Sequence, residues 1–198
     1  MGVKQAIKTT AFEHFAKYIP FSPNTITFLS IVSAAVASYL IFLGDVTYGI
    51  IFVFIAFMLD GVDGIVARAK KQETPFGAYF DGISDRIVEF FVLASMISLT
   101  WPNQALALYS ILIMIAFGTF LTSFAKAYAD HRGTLGKQKI SRLHCFFERA
   151  ERVALIFISL TIYLFAPIYS MYLLSLGALL SVLAFLQRFF LVFLQSRK

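Results

Sequence analysis

60-DGVDGIVAR-68 is followed, after eight residues, by 77-GAYFDGISD-85. The two segments place Asp60, Asp63, Asp81 and Asp85 inside or beside runs that otherwise look membrane-embedded. IIFVFIAFML precedes Asp60, and IVEFFVLASMISL follows Asp85 after the single Arg86. A carboxylate at membrane depth is costly and marks a functional site by default. On helices, Asp60 and Asp63 share one face at i, i+3, and Asp81 and Asp85 share another at i, i+4. Two antiparallel helices would then gather four carboxylates around a single point. Oxygen donors without a thiol or histidine cluster suit hard cations, Mg²⁺ or Mn²⁺. Gly61, Gly64, Ala67, Gly77 and Gly82 leave room around the acids. Arg68 offers a planar fork of donors to a phosphate.

The whole chain agrees with a membrane setting. Of 198 residues 59% are hydrophobic and 14% charged, and the mean hydropathy is +0.79. That excludes an ordinary soluble domain. Apolar runs long enough to cross a bilayer recur. The expected fold is an all-α integral membrane protein with six spans, at about 24–43, 47–68, 77–100, 104–129, 146–165 and 169–193, forming one domain over 1–198. The polar stretch AKKQETPF, 69–76, separates the second and third spans. Residues 1–19 mix lysines with apolar residues and read as an amphipathic interfacial helix, or as a loosely ordered basic leader. They lack the apolar core and cleavage site of a signal peptide.

None of the 17 Lys and Arg residues falls in the loops near 44–47, 101–104 and 166–169. The positive-inside rule then puts both termini and the aspartates on the cytoplasmic side of the inner membrane. The net charge of +6 follows from this topology, so no nucleic-acid partner is expected. The single cysteine, Cys145, lies near His131 and His144 but reads as inert packing.

The pattern D-x2-D-G-x2-A-R-x8-G-x3-D-x3-D resembles the signature of the CDP-alcohol phosphotransferases, membrane enzymes of phospholipid synthesis. Asp60, Asp63, Gly64, Ala67, Arg68, Gly77, Asp81 and Asp85 meet all eight specified positions within 26 residues. The resemblance implies transfer of a phosphatidyl-type group from a CDP-linked lipid to an alcohol, with release of CMP. It implies Asp60, Asp63, Asp81 and Asp85 as ligands of two Mg²⁺ or Mn²⁺ ions, with Asp85 also the general base. Asp60, Gly64, Ala67, Arg68, Gly77 and Asp81 would line the CDP site. PNTIT at 23–27 resembles the family's P-N-x-x-T, so Asn24 either borders the nucleotide or simply starts a helix. The family is often dimeric, and Phe90, Phe91, Ala94 and Ser95 offer a helix interface.

Lys126, Arg149, Arg152 and Arg188 sit at the inner ends of spans four to six. Cations beside a metal-binding acid cluster suit an anionic acceptor, a small phosphorylated alcohol. The arrangement resembles the branch making phosphatidyl- or archaetidylinositol phosphate, where residues matching Ser123, Lys126, Arg152 and Arg188 hold the acceptor phosphate. Tyr128 departs from that branch, which usually has a second basic residue there. Glycerol 3-phosphate is the alternative acceptor. Glu89, i+4 from Asp85, is expected to support Arg86 or another base. Two other classes compete: a divalent-cation transporter, against which the near absence of ionisable residues in the outer half-spans argues, and an aspartate-rich membrane prenyltransferase, whose acid clusters are tighter.

Overall fold

Ser22 starts the first helix, its hydroxyl accepting the Thr25 N–H at 3.2 Å with Pro23 in the first turn. The computed structural model describes residues 16–134 and 144–196, so most of the expected interfacial helix lies outside the described residues. The main helices are α1 (Pro23–Phe42), α2 (Val46–Lys70), α3 (Pro75–Ser95), α4 (Gln104–His131), α5 (Arg149–Tyr163) and α6 (Pro167–Ser196). Gly44, at φ +92°, ends the turn after α1 in a conformation that favours glycine. Thr74 caps α3 by accepting the Gly77 N–H at 2.9 Å, and Asn103 caps α4 through Leu106 N–H at 3.0 Å. Glu148 and Glu151 form a reciprocal capping box at the start of α5.

The boundaries correct the sequence reading in two places. Residues 69–76 are not all loop: α2 runs on to Lys70 and α3 begins at Pro75. The third span does not run unbroken to 100, because a single 3-10 turn, Met96–Ser98, follows α3. Among the described residues four helices, α1, α2, α4 and α6, are long and apolar enough to cross a membrane. Of the other two, α5 has only 15 residues, and α3 carries Asp81, Asp85, Arg86 and Glu89.

The core runs through all six helices, with Ile41, Val53, Leu93, Met96, Ile111, Met114, Ile156, Leu160 and Leu174 almost fully buried. Between helices, small hydroxyl residues give close approach and satisfied polar groups. Ser159 and Ser170 join α5 to α6 at 2.9 Å, and Ser110 and Ser175 join α4 to α6 at 3.0 Å. Within α4, Met114–Leu121 is wound as a π-helix. Such segments often lie at functional sites. Here the segment faces Arg152: a Cβ on Gly118 would stand 2.8 Å from Arg152 Cδ and 2.9 Å from Ser181 Oγ. Only a residue without a side chain lets Arg152 lie this close to α4.

Candidate active site

The short 71–74 loop joins α2 to α3, which packs mainly on α1, and Asp81 and Asp85 of α3 come close to Asp60 of α2. Asp60, Asp81 and Asp85 each offer an oxygen within 4.8 Å of the other two. Asp60 is buried, and its Oδ1 has no hydrogen-bond partner among the described residues. A convergent set of oxygen donors with an orphaned buried carboxylate oxygen fits a hard divalent cation.

Asp63 is not among the three acids whose oxygens converge within 4.8 Å, although it lines the same cavity as Asp81. Its Oδ2 accepts the Thr27 hydroxyl at 2.5 Å, and its Oδ1 accepts the Gly64 N–H at 2.5 Å. Both oxygens therefore already have donors. Thr27, on α1, was not singled out from sequence, although the threonine of P-N-x-x-T was the available signal.

Two cavities flank the acids. One, of about 170 Å³, is lined by Asn24, Thr27, Asp63, Arg68, Gly77 and Asp81, with Gly64 and Ala67 also on its wall. It thus collects every residue expected at the CDP site except Asp60. A Cβ on Gly77 would approach Thr74 Oγ1 to 3.0 Å and Asn24 Oδ1 to 3.4 Å, so the small residue preserves this space.

The other cavity, of about 150 Å³, brings together Ser123, Lys126, Arg149, Arg152 and Arg188, the whole expected acceptor set. Arg86, Thr122 and Glu148 complete it. Arg86 was read from sequence only as a possible counter-ion. It donates from Nε and Nη2 to Ser123 Oγ at 3.2 and 2.9 Å, and from Nη1 to Asp85 at 3.2 Å. Arg188 donates to the Thr122 carbonyl at 2.8 Å and to Glu148 at 3.2 Å.

The cations of this cavity are not equivalent. Arg152 grips Glu89 with Nε and Nη2 at 2.7 and 3.1 Å, both side chains being buried. Glu89 thus has a structural partner, and it is Arg152 rather than Arg86. Arg149 instead faces the acids, its Nη1 lying 2.6 Å from Asp60 Oδ2 and 3.0 Å from Asp85 Oδ1. Tyr128 is not on the cavity wall. It lies 43% exposed, stacked on Phe124, with its hydroxyl accepting from Arg132.

A third, larger cavity of about 470 Å³ lies between α3 and α4, mostly apolar, and meets the cationic cavity at Arg86 and Ser123. Cys145 packs with Sγ 3.4 Å from the Ala184 carbonyl, and His144 pairs with Glu148 at 3.5 Å. No joint Cys–His site forms among the described residues.

The fold and site define a multi-pass membrane protein with a carboxylate centre flanked by a small-residue cavity and a cationic one. The profile of the CDP-alcohol phosphatidyltransferase family matches residues 21–186, and the chain belongs to this family. A phosphatidylinositol phosphate synthase of Mycobacteroides abscessus is 30% identical over 117 residues, 57% of this chain and 52% of that protein. The match therefore spans about half the length of that relative. An archaetidylinositol phosphate synthase of Pyrococcus horikoshii is 30% identical over 139 residues, 70% of this chain and 68% of that protein. The Mycobacterium tuberculosis phosphatidylinositol phosphate synthase, solved with CDP-DAG bound, shares the fold with a TM-score of 0.75 at 24% identity over 93% of each chain. The same protein in complex with manganese and citrate gives 0.77 at 23% identity, over 93% of this chain and 88% of that one.

Proposed function

We propose that this protein transfers a phosphatidyl-type group from a CDP-linked lipid to a small phosphorylated alcohol, inositol phosphate in preference to glycerol 3-phosphate, releasing CMP. One observation carries the reading: the acid cluster lies between a small-residue cavity bearing Arg68 and a cavity of converging cations. Relatives named for inositol phosphate products favour that acceptor. Tyr128, which departs from that branch, is not among the residues lining the cationic cavity.

Gly64, Ala67 and Gly77 admit the cytidine diphosphate head close to backbone, and Arg68 orients its phosphates. Asn24 borders the same space. The lipid tails stay in the bilayer. Lys126, Arg149 and Arg188 attract the acceptor phosphate, and Ser123 lines its cavity. Asp85, held by Arg86 and Arg149, takes the proton of the acceptor hydroxyl as general base. The acceptor oxygen bonds to the lipid-side phosphorus as the bond from that phosphorus to the CMP oxygen breaks. Asp60, Asp81 and Asp85, with Asp63 on the donor side, would hold one or two Mg²⁺ or Mn²⁺ ions, whose charge would offset that of the pyrophosphate and the leaving CMP.

The proposal includes six spans, with α3 and α5 crossing as the shorter or more polar members, and a cytoplasmic site at the inner membrane. The absence of Lys and Arg from the loops near 44–47, 101–104 and 166–169 supports that orientation. It also includes a homodimer. Phe90 is exposed enough to serve in an interface, whereas Ser95 is buried in its own chain and bonds the Val92 carbonyl.

CMP release by purified protein tests the reaction. The donor is CDP-diacylglycerol with Mg²⁺, and the acceptors are inositol 1-phosphate, glycerol 3-phosphate and serine. Release with inositol 1-phosphate, lost in Asp85→Asn, is expected. Release with serine alone would overturn the acceptor class, and no release with any acceptor would overturn the reaction.

A further inference from the structure

Lys70, in the last turn of α2, reaches across to the segment that leads into α1. Its Nζ donates to the Ile19 carbonyl at 2.6 Å and to the Phe21 carbonyl at 2.9 Å. Neither carbonyl accepts a backbone N–H among the described residues. The residue four on from Ile19 is Pro23, which has no N–H to give, and Thr25, four on from Phe21, donates to the Ser22 carbonyl instead. Two carbonyls at the entry to α1 are thus left to a side chain. A lysine ammonium carries three rotatable donors and can serve both at once.

The two chain segments that Lys70 joins are both walls of the small-residue cavity. Pro23 and Asn24 follow Phe21 closely in the chain, Arg68 and Gln72 flank Lys70, and all four line that cavity. Lys70 itself does not line it. Directly after Lys70, Lys71 takes a left-handed conformation at φ +54°, which ends α2 and leads Gln72 and Glu73 onto the cavity wall. Ala16, Ile26 and Val66 form a buried apolar cluster nearby, with Ile19 and Ala69 packed against it. Apolar packing is non-directional and does not by itself fix register, whereas two charge-assisted hydrogen bonds do.

We infer that Lys70 is a positioning residue for the donor nucleotide: by clamping the entry of α1 to the end of α2, it sets the spacing between Asn24 and Arg68, the residues between which the cytidine diphosphate head is received. Lys70 acts through the backbone of Ile19 and Phe21 and does not touch the ligand. This inference rests on the proposed transfer reaction. It adds a determinant of donor affinity that is separate from the acid cluster and from the cationic cavity.

The test compares the intact wild-type protein in detergent with Lys70→Met, Lys70→Arg and Lys71→Met. Lys71→Met removes an equal charge one position on, from an exposed side chain outside the clamp. Three quantities are read: the Kd for CDP with Mg²⁺ by calorimetry, the KM values for CDP-diacylglycerol and inositol 1-phosphate, and backbone amide exchange over residues 18–27. In Lys70→Met we expect CDP affinity to fall and the donor KM to rise by roughly tenfold, with the acceptor KM held within about twofold. Amides over residues 18–27 should exchange faster, while those of α5 and α6 do not change. Lys70→Arg keeps a cationic donor and should restore most of the affinity, and Lys71→Met should match wild type. Unchanged CDP affinity, or unchanged exchange, in folded Lys70→Met overturns the inference. So does an equal loss in Lys71→Met, which would assign the effect to charge alone, or a parallel rise of both KM values, which would mark general loosening. If wild type releases no CMP with any acceptor, the transfer reaction falls, and CDP binding and amide exchange still decide whether Lys70 positions a nucleotide site. No CDP binding by wild type would overturn the inference outright.

Discussion

Arg152 and Glu89 form a two-point ion pair at 2.7 and 3.1 Å, with the residues only 4% and 1% exposed. It ties α3 to α5 directly behind the cationic cavity. Removing one partner leaves the other charge buried and alone, which costs about 3–5 kcal/mol. Glu89→Leu or Arg152→Met should therefore lower the thermal midpoint markedly. The double variant should recover much of the loss, since an apolar pair of similar volume is often tolerated. Thermal unfolding in one detergent, run as a double-mutant cycle, checks this. Additive losses would show that the pair is not coupled.

Gly118 is the counterpart of that pair on α4. An added Cβ would press on Arg152 Cδ and Ser181 Oγ at 2.8 and 2.9 Å. Gly118→Ala should cost about 1–3 kcal/mol through overpacking. Because Arg152 must shift, the acceptor KM should rise while the donor KM holds. Steady-state kinetics with each substrate varied in turn measure the split.

Thr27 gives Asp63 a charge-assisted hydrogen bond across the α1–α2 interface. Such a bond contributes about 1.5–3 kcal/mol. Thr27→Val keeps the shape and removes the donor. It should raise the KM for the CDP-lipid by roughly tenfold, with Thr27→Ser close to wild type. Equal kinetics for Val and Ser would assign Thr27 to packing alone.

Chelation should abolish CMP release, and Mg²⁺ or Mn²⁺ should restore it. Among the aspartates, Asp60→Asn should weaken Mn²⁺ binding more than Asp63→Asn. Asp60 has a buried oxygen without a partner, whereas both oxygens of Asp63 already accept hydrogen bonds. Mn²⁺ titration of the two variants decides between them, and a larger loss in Asp63→Asn would reverse the assignment.

The helices were legible because their punctuation is local. Ser22-Pro23, Gly44, Thr74-Pro75 and Pro167 act within a few residues of where they stand. The meeting of Asp60, Asp81 and Asp85 was legible for a related reason: periodicity puts each pair on one face, and a short loop brings the faces together. The hydrogen bond from Thr27 to Asp63 was not, because it comes from a residue on another helix. The division of labour between Arg149 and Arg152 was equally hidden. Both are arginines at one end of α5, and only packing against α2 and α3 gives one to Glu89 and the other to Asp60 and Asp85. Tyr128 looked like a change inside the acceptor site, but its hydroxyl pairs with Arg132 on the exposed face of α4.

The central claim is that the cationic cavity accepts a phosphorylated alcohol. Its most direct test is the ratio of kcat/KM for inositol 1-phosphate over free inositol, read as CMP release from CDP-diacylglycerol. A site built to pair a buried charged group rejects the analogue lacking it, so a ratio of at least about a hundredfold is predicted. A ratio near one, or a preference for free inositol, would contradict the account.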